Sequence, residues 1–250
     1  MTVVVKLGGS VVTEKDEPET LDGAAIERAA RAVAAADEEV VVVHGGGSFG
    51  HHYATRHGVS RTDGTTDPTA VREIHGAMQR LNDAIVEALA DAGVPAVPVH
   101  PLSAGVRDAG GGLELPTGQV ETMLEEGFVP VLHGDVLAHA GAGATIVSGD
   151  ELVVALATGL DADSVGLCSA VPGVLDAEDA VIDRIDAFED VAAVLGGSDA
   201  ADVTGGMAAK VRTLLDLGTP ASIFALDDLD AFFDGERPGT LVAGGDPDES

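Results

Sequence analysis

Four glycine turns carry the residues best suited to hold a phosphate: Gly8-Gly9-Ser10, Gly45-Gly46-Gly47, Ser148-Gly149-Asp150 and Thr204-Gly205-Gly206. A glycine turn between a strand and a helix exposes backbone N–H groups, and the helix N-terminus behind it adds partial positive charge. The chain has three lysines, Lys6, Lys15 and Lys210, and each lies in or near one of these turns. Ten arginines supply the remaining positive charge, so a chain that otherwise avoids lysine keeps it where a primary ammonium is needed. Lysines around a glycine cradle are the parts that phosphoryl transfer requires, because that chemistry rests on positioning and charge stabilisation. His51 follows the second turn in Gly47-Ser48-Phe49-Gly50-His51 and can donate a hydrogen bond to an anion.

Each of these residues also has a plainer reading. Lys15 sits in Glu14-Lys15-Asp16-Glu17 and suits a surface ion pair, while Lys210 suits an exposed helix position. His51, beside His52, Tyr53 and His57, suits a loop histidine or half of an incidental metal pair. Asp135 and Asp150 suit helix or turn caps. The pattern G-x-x-x-x-G-K-[ST] is absent, and Gly45 to Gly50 lacks both a following lysine and the acidic context of a dinucleotide site. A P-loop nucleotidase and a standard dinucleotide enzyme are therefore disfavoured.

The elements that must position these turns alternate. Apolar runs predict strands at 3–5, 40–43, 96–99, 129–132, 164–167, 222–226 and 240–243. Between them, capping residues and periodic apolar positions predict helices at 22–37, 67–93, 119–126, 148–158, 204–217 and 228–233. Asp67-Pro68 opens the longest, with Val71, Ile74, Met78, Leu81, Ile85 and Leu89 as its core stripe. Ile74 and Met78 are the candidates on that stripe to touch an apolar ligand tail. Residues 110–112 read as a glycine-rich excursion. Repeated strand-helix units give a mainly parallel sheet covered on both faces, an αβα sandwich. One continuous sheet is expected, with an N-terminal lobe over 1–160 and a C-terminal lobe over 161–250.

A chain of 250 residues can bury a substantial core, and one that is 45% hydrophobic but 3% aromatic builds it from Val, Ala, Leu and Ile. The net charge of −30 opposes partnership with nucleic acid or an anionic membrane. No run approaches eighteen apolar residues, and the N-terminal stretch is interrupted by Lys6 and Gly8-Gly9, so a soluble, cytoplasmic chain is expected. Cys168 is the only cysteine, which excludes an intrachain disulfide and a cysteine zinc cluster.

The acidity is spread from Asp16-Glu17 to Asp246-Asp248 and implies a salt-rich cytoplasm. Screening shortens to about 3 Å at 1 M salt. The melting temperature is therefore expected to rise steeply from low salt to about 1 M KCl; a flat or falling profile would reject this adaptation.

Taken in order, Lys6-Leu7-Gly8-Gly9-Ser10, His44-Gly45-Gly46-Gly47, Ser148-Gly149-Asp150 and Asp202-Val203-Thr204-Gly205-Gly206-Met207 with Lys210 resemble the amino acid kinase superfamily. Within it, Ser48-Phe49-Gly50-His51 together with Val203 to Met207 is similar to the isopentenyl phosphate kinases. The resemblance implies ATP-dependent, Mg2+-assisted phosphorylation of isopentenyl phosphate, with a fosfomycin-type phosphonate kinase or a carboxylate or carbamate kinase of the same fold as the alternative. It implies that Lys6, Gly8, Gly9 and Ser10 hold ATP phosphates, Gly47 touches ATP, and Gly206 and Lys210 contact the nucleotide. Lys15 would stabilise the transferred group and Asp150 would orient the lysines. Gly46, Gly50, His51 and Gly134 would hold the acceptor phosphate, and no protein metal ligand is expected. A homodimer acting on a phosphomonoester with an apolar tail is implied as well. One stretch departs from the pattern: relatives often carry Thr-Asp where this chain has Ser169-Ala170. The same fold could also serve a non-catalytic nucleotide sensor, which would release no ADP.

Overall fold

The computed structural model describes residues 1–14, 17–195 and 206–243. Valine runs without polar interruption make strands buried on both faces. Thr2–Leu7 and Glu39–His44 are such strands and pair in parallel at the middle of an eight-stranded sheet. Its order is Arg184–Ile185, Thr240–Val242, Ala221–Ala225, Ser164–Ser169, Thr2–Leu7, Glu39–His44, Val129–His133 and Ala96–Pro98. Neighbours run parallel except Ala221–Ala225 and Thr240–Val242.

The two-residue period of a strand divides the core in two. Val3, Val5, Val40, Val42 and Val131 face the helices Gly23–Ala35 and Pro68–Asp91. Val4, Val41, Val43 and Leu132 face Gly149–Gly159 and Gly206–Leu215. Lys6 shares the face of Val4, whereas His44 and His133 share the face of Val42 and Val131.

The helices begin where their caps allow. Asp22 accepts from Ala25 N, and Asp67 accepts from Thr69 N ahead of Pro68. Burying Ile74, Met78, Leu81 and Ile85 on the long helix stabilises the fold by about 1.5–3 kcal/mol each. Among the described residues no helix is long and apolar enough to cross a membrane.

A second sheet stands beside the first, in the order Leu113–Glu114, Val106–Arg107, Asp135–His139 and Gly143–Val147. The glycine-rich excursion is thus part of a small sheet that the sequence pattern did not reveal. Two of its strands are only two residues long, too short for any periodicity. The other two form a hairpin through Gly141 and Gly143, both with positive φ. That hairpin brings residue 147 back to Ser148 and the start of the Gly149–Gly159 helix, directly beside the strand ends.

Candidate active site

The three glycine turns at 8–10, 45–47 and 148–150 meet beyond the C-terminal ends of the central strands, where an open parallel sheet places its ligands. Gly8 and Gly9 follow Thr2–Leu7, Gly45 to Gly47 follow Glu39–His44, and Gly134 follows Val129–His133. A Cβ at Gly9 would stand 2.2 Å from Gly47 N, so the first two turns touch backbone to backbone. Gly47 has φ +47, and a Cβ there would strike Thr13 Oγ1 at 2.2 Å. Thr13 ties the two turns together: its hydroxyl donates to Gly9 O at 2.8 Å and accepts from Ser48 N at 2.9 Å.

Lys6 reaches Asp150 across Gly149, with 2.5 Å between Lys6 Nζ and Asp150 Oδ1. Burial pushes the Asp150 carboxyl up, but the charges of Lys6 and then Lys210 outweigh it and hold the group below its ordinary value. Asp150 is therefore ionised and paired with Lys6, with the Lys210 charge adding to its field, and the plainer reading as a cap falls away. The cap of this helix is Ser148, which forms a capping box with Glu151. Glu151 is itself held by Arg107, whose side chain is 1% exposed and bonds it at 2.7 Å.

Lys6, Asp150 and the facing glycine turns line one cavity of about 780 Å³. Lys6, Gly8, Gly9, Ser10, Gly47 and Lys210 stand on its walls, as do Gly46, Gly50, His51 and Gly134. Ile74, Met78 and Ile146 add an apolar flank. Gly50 is small because Met78 lies beneath it; a Cβ there would sit 2.7 Å from Met78 Sδ. His51 lies in the first turns of the helix Gly47–His57 and is partly buried. Lys210 faces the cavity, so its helix position is not simply solvent-exposed. Ser169, the position where the sequence departs from its relatives, lines the same cavity beside Cys168.

Lys15 lies outside the described residues, and so do Thr204 and Gly205 of the fourth turn. Gly206 is described, with φ +63 and open space where a Cβ would stand. Among the described residues no group of three or more His, Cys, Asp or Glu side chains converges as a metal cage.

Sequence patterning gave no sign of a histidine layer under the cradle. His44 and His133 are buried, His100 bonds His133 at 3.0 Å, and His75 bonds Asp135 at 2.8 Å. The one available signal was the repeated His-Gly at two strand ends. Asp135 is a buried acceptor for His75 and for Val136 N, more than a turn cap.

Burial, then the charge of His133, pushes His44 down to about 3, and burial lowers His133 as well. The hydrogen bond from His75 to Asp135 raises His75. For the two lowered rings, the unfolded chain binds protons that the folded chain refuses. Their stabilisation is full above about pH 6.5, the unfolded value, and is lost as pH falls. His75 has the opposite sign: its contribution is present below 6.5 and fades as pH rises through its folded value. Acidification from pH 6.5 to 5 is therefore expected to cost about 1.4 kcal/mol per pH unit for each fully refused proton. Denaturant melts across this range should show His44→Asn losing one such increment; an unchanged slope would contradict the assignment.

The parallel sheet, the facing glycine turns and the lysine-carboxylate anchor define a phosphotransferase class, and the Amino acid kinase family model matches residues 1–220. The chain belongs to the amino acid kinase family. It is 66% identical over 244 residues to the isopentenyl phosphate kinase of Haloferax volcanii, covering 97% of this chain and 98% of that one. The isopentenyl phosphate kinase of Methanocaldococcus jannaschii is 34% identical over 226 residues, with 84% and 85% covered. Among solved structures, an isopentenyl phosphate kinase superposes with TM-score 0.78 at 26% identity over 96% of this chain and 99% of that one. A carbamate kinase from Giardia lamblia shares the fold, with TM-score 0.69 at 14% identity over 98% of each chain.

Proposed function

We propose that this chain is an isopentenyl phosphate kinase that moves the terminal phosphoryl group of ATP onto isopentenyl phosphate, giving the diphosphate and ADP. The observation that carries the reading is one cavity lined by the turns at 8–10 and 45–47, by Gly134, by the Lys6–Asp150 pair and by the apolar side chains of Ile74, Met78 and Ile146. The Haloferax volcanii and Methanocaldococcus jannaschii relatives bear the same name, which supports the choice of acceptor.

A phosphomonoester has its second pKa near 6, so its attacking oxygen is anionic at neutral pH and needs no general base. The protein's task is to bring two anions together. Lys6, Gly8, Gly9, Ser10 and Gly47 take the ATP phosphates, and Gly206 and Lys210 the nucleotide. Gly46, Gly50, His51 and Gly134 take the acceptor phosphate, while Ile74, Met78 and Ile146 receive its apolar tail. Lys15 reaches the transferred group. Asp150 keeps Lys6 and Lys210 in place without itself touching phosphate.

A magnesium ion bound with the ATP phosphates would supply further charge neutralisation beside the Lys6 ammonium, which Asp150 holds. The same proposal places the acceptor in residues 1–160 and the nucleotide largely in 161–250, in a cytoplasmic homodimer. Sedimentation in molar KCl tests the dimer.

The test of function is ADP release from Mg-ATP in molar KCl across isopentenyl phosphate, other alkyl phosphates, fosfomycin and amino acids. Isopentenyl phosphate is expected to give the highest kcat/KM. Release only with a carboxylate, a phosphonate or no acceptor would contradict the reading.

Gly134→Ala sharpens the acceptor assignment. Its methyl would stand 3.3 Å from Val147 O, 3.6 Å from Gly149 N and 4.0 Å from Gly46 N, tight but tolerable. It would fill the cradle floor. The variant is expected to fold with the KM for isopentenyl phosphate raised at least about tenfold, the scale of one lost charged hydrogen bond. The KM for ATP should hold, and a normal acceptor KM would remove Gly134 from the site.

A further inference from the structure

His44 and His133 end two adjoining parallel strands and are register partners. Both are fully buried, and their rings stack with centroids 5.5 Å apart at 28°. Each is followed by a glycine, and each ring turns onto that glycine's carbonyl. His44 Nδ1 donates to Gly45 O at 3.1 Å, and His133 Nδ1 donates to Gly134 O at 3.0 Å. A carbonyl oxygen only accepts, so both rings carry a proton on Nδ1. The same device thus occurs at two neighbouring strand ends.

In a trans peptide the C=O and the following N–H point in opposite directions. Holding the Gly45 carbonyl toward the core therefore turns the Gly46 N–H toward the cavity. Gly46 N has no hydrogen-bond partner among the described residues. It lies 4.0 Å from the point where a Gly134 Cβ would stand, and Gly149 N lies 3.6 Å from that point. Two backbone amides from different turns converge over one bare glycine, whose own carbonyl His133 holds.

A further polar layer fixes the rings. The Asn82 carboxamide stands 3.1 Å from His44 Nε2, and because a neutral ring protonated on Nδ1 can only accept at Nε2, the amide nitrogen is the group that must face it, which also gives the buried Nδ2 a partner. His100 Nδ1 donates to His133 Nε2, and His75, bonded to Asp135, stands edge-on to His100. An apolar pair would pack these strand ends without the cost of burying polar atoms. It would also leave the Gly45 carbonyl unpaired and the Gly46 amide unaimed.

We propose that His44 and His133 are positioning residues for the acceptor site: they fix the Gly45 and Gly134 carbonyls and thereby present the Gly46 N–H and the bare Gly134 floor to the acceptor phosphate. The inference rests on the reading that this cradle takes the acceptor. Burial keeps both rings neutral, so the aimed donors do not change charge across the working pH range.

The test compares two amides at one position. His44→Asn places its nitrogen where Nδ1 stood and keeps the bond to Gly45 O. His44→Gln places its nitrogen near the Nε2 position and loses that bond. Both bury a similar polar group, so a purely structural role would treat them alike. In molar KCl, His44→Asn is expected to keep the KM for isopentenyl phosphate within about threefold of wild type. His44→Gln should raise it about 10- to 100-fold, the range for one lost hydrogen bond to a charged group. The KM for ATP should hold in both.

The corresponding pair at His133 decides the matter if a His44 variant does not fold. Equal acceptor KM values for Asn and Gln, or an ATP KM that rises in step, would overturn the positioning role. Calorimetric titration of wild type with isopentenyl phosphate separates the two levels. No binding there overturns the acceptor reading and this proposal together, whereas normal wild-type binding with indistinguishable variants overturns this proposal alone.

Discussion

Lys6→Ala is expected to lower kcat by at least about 100-fold, with a smaller rise in the KM for ATP. The reason is that Lys6 sits at the end of a buried strand, on the side of the sheet where Gly149–Gly159 begins, with its ammonium fixed by Asp150 at 2.5 Å. A preorganised donor aimed at charge that develops in the transition state contributes about 2.7–4 kcal/mol, which is where the factor comes from. Stability should suffer too. Removing one partner of a buried ion pair leaves the other charge uncompensated, at about 3–5 kcal/mol. The double variant Lys6→Ala/Asp150→Ala should regain part of that stability and none of the kcat, which separates the chemical role from the structural one. Lys15→Ala is expected to lower kcat to a similar extent. A Lys6→Ala enzyme within tenfold of wild-type kcat would contradict the assigned role.

His51→Ala is expected to reduce kcat/KM for isopentenyl phosphate about 10- to 100-fold while leaving the KM for ATP nearly unchanged. A charge-assisted hydrogen bond to phosphate is worth about 1.5–3 kcal/mol, and the acidic surface offers the acceptor few competing cations. His51 stands on the cavity wall with Gly46, Gly50 and Gly134, near the apolar flank of Ile74 and Met78. His51→Gln keeps a neutral donor and should retain part of the activity. Steady-state kinetics with each substrate varied in turn would settle the point; unchanged acceptor kinetics in His51→Ala would remove the residue from the site.

The turns and the lysines were legible in the sequence because adjoining glycines follow apolar runs and lysine occurs only three times in the chain. Gly8-Gly9 and Gly45-Gly46-Gly47 each follow a valine run, and that juxtaposition alone places them at strand ends. The αβα sandwich followed from strand and helix alternation, with boundaries off by a residue or two, as at the end of the helix expected to reach 217 and observed to end at Leu215. The small second sheet was hidden because pairing across two-residue strands is decided by tertiary neighbours rather than local pattern.

The histidine layer was hidden for a related reason. His44 and His133 are 89 positions apart, and only the parallel register of their strands stacks the rings. Thr13 was missed likewise, since its role in joining two turns depends on Gly9 and Gly47 meeting in space. Asp150 was legible as a residue of interest, but its partner came from 144 positions away.

The central claim is transfer of a phosphoryl group onto an existing phosphate, and the phosphorus spectrum of a reaction mixture reports it directly. Incubation of the enzyme with Mg-ATP and isopentenyl phosphate in molar KCl should convert the single monoester resonance into the coupled pair of a diphosphate, with ADP appearing in equal amount. Persistence of the monoester signal while ATP is consumed, or no consumption of ATP at all, would contradict it.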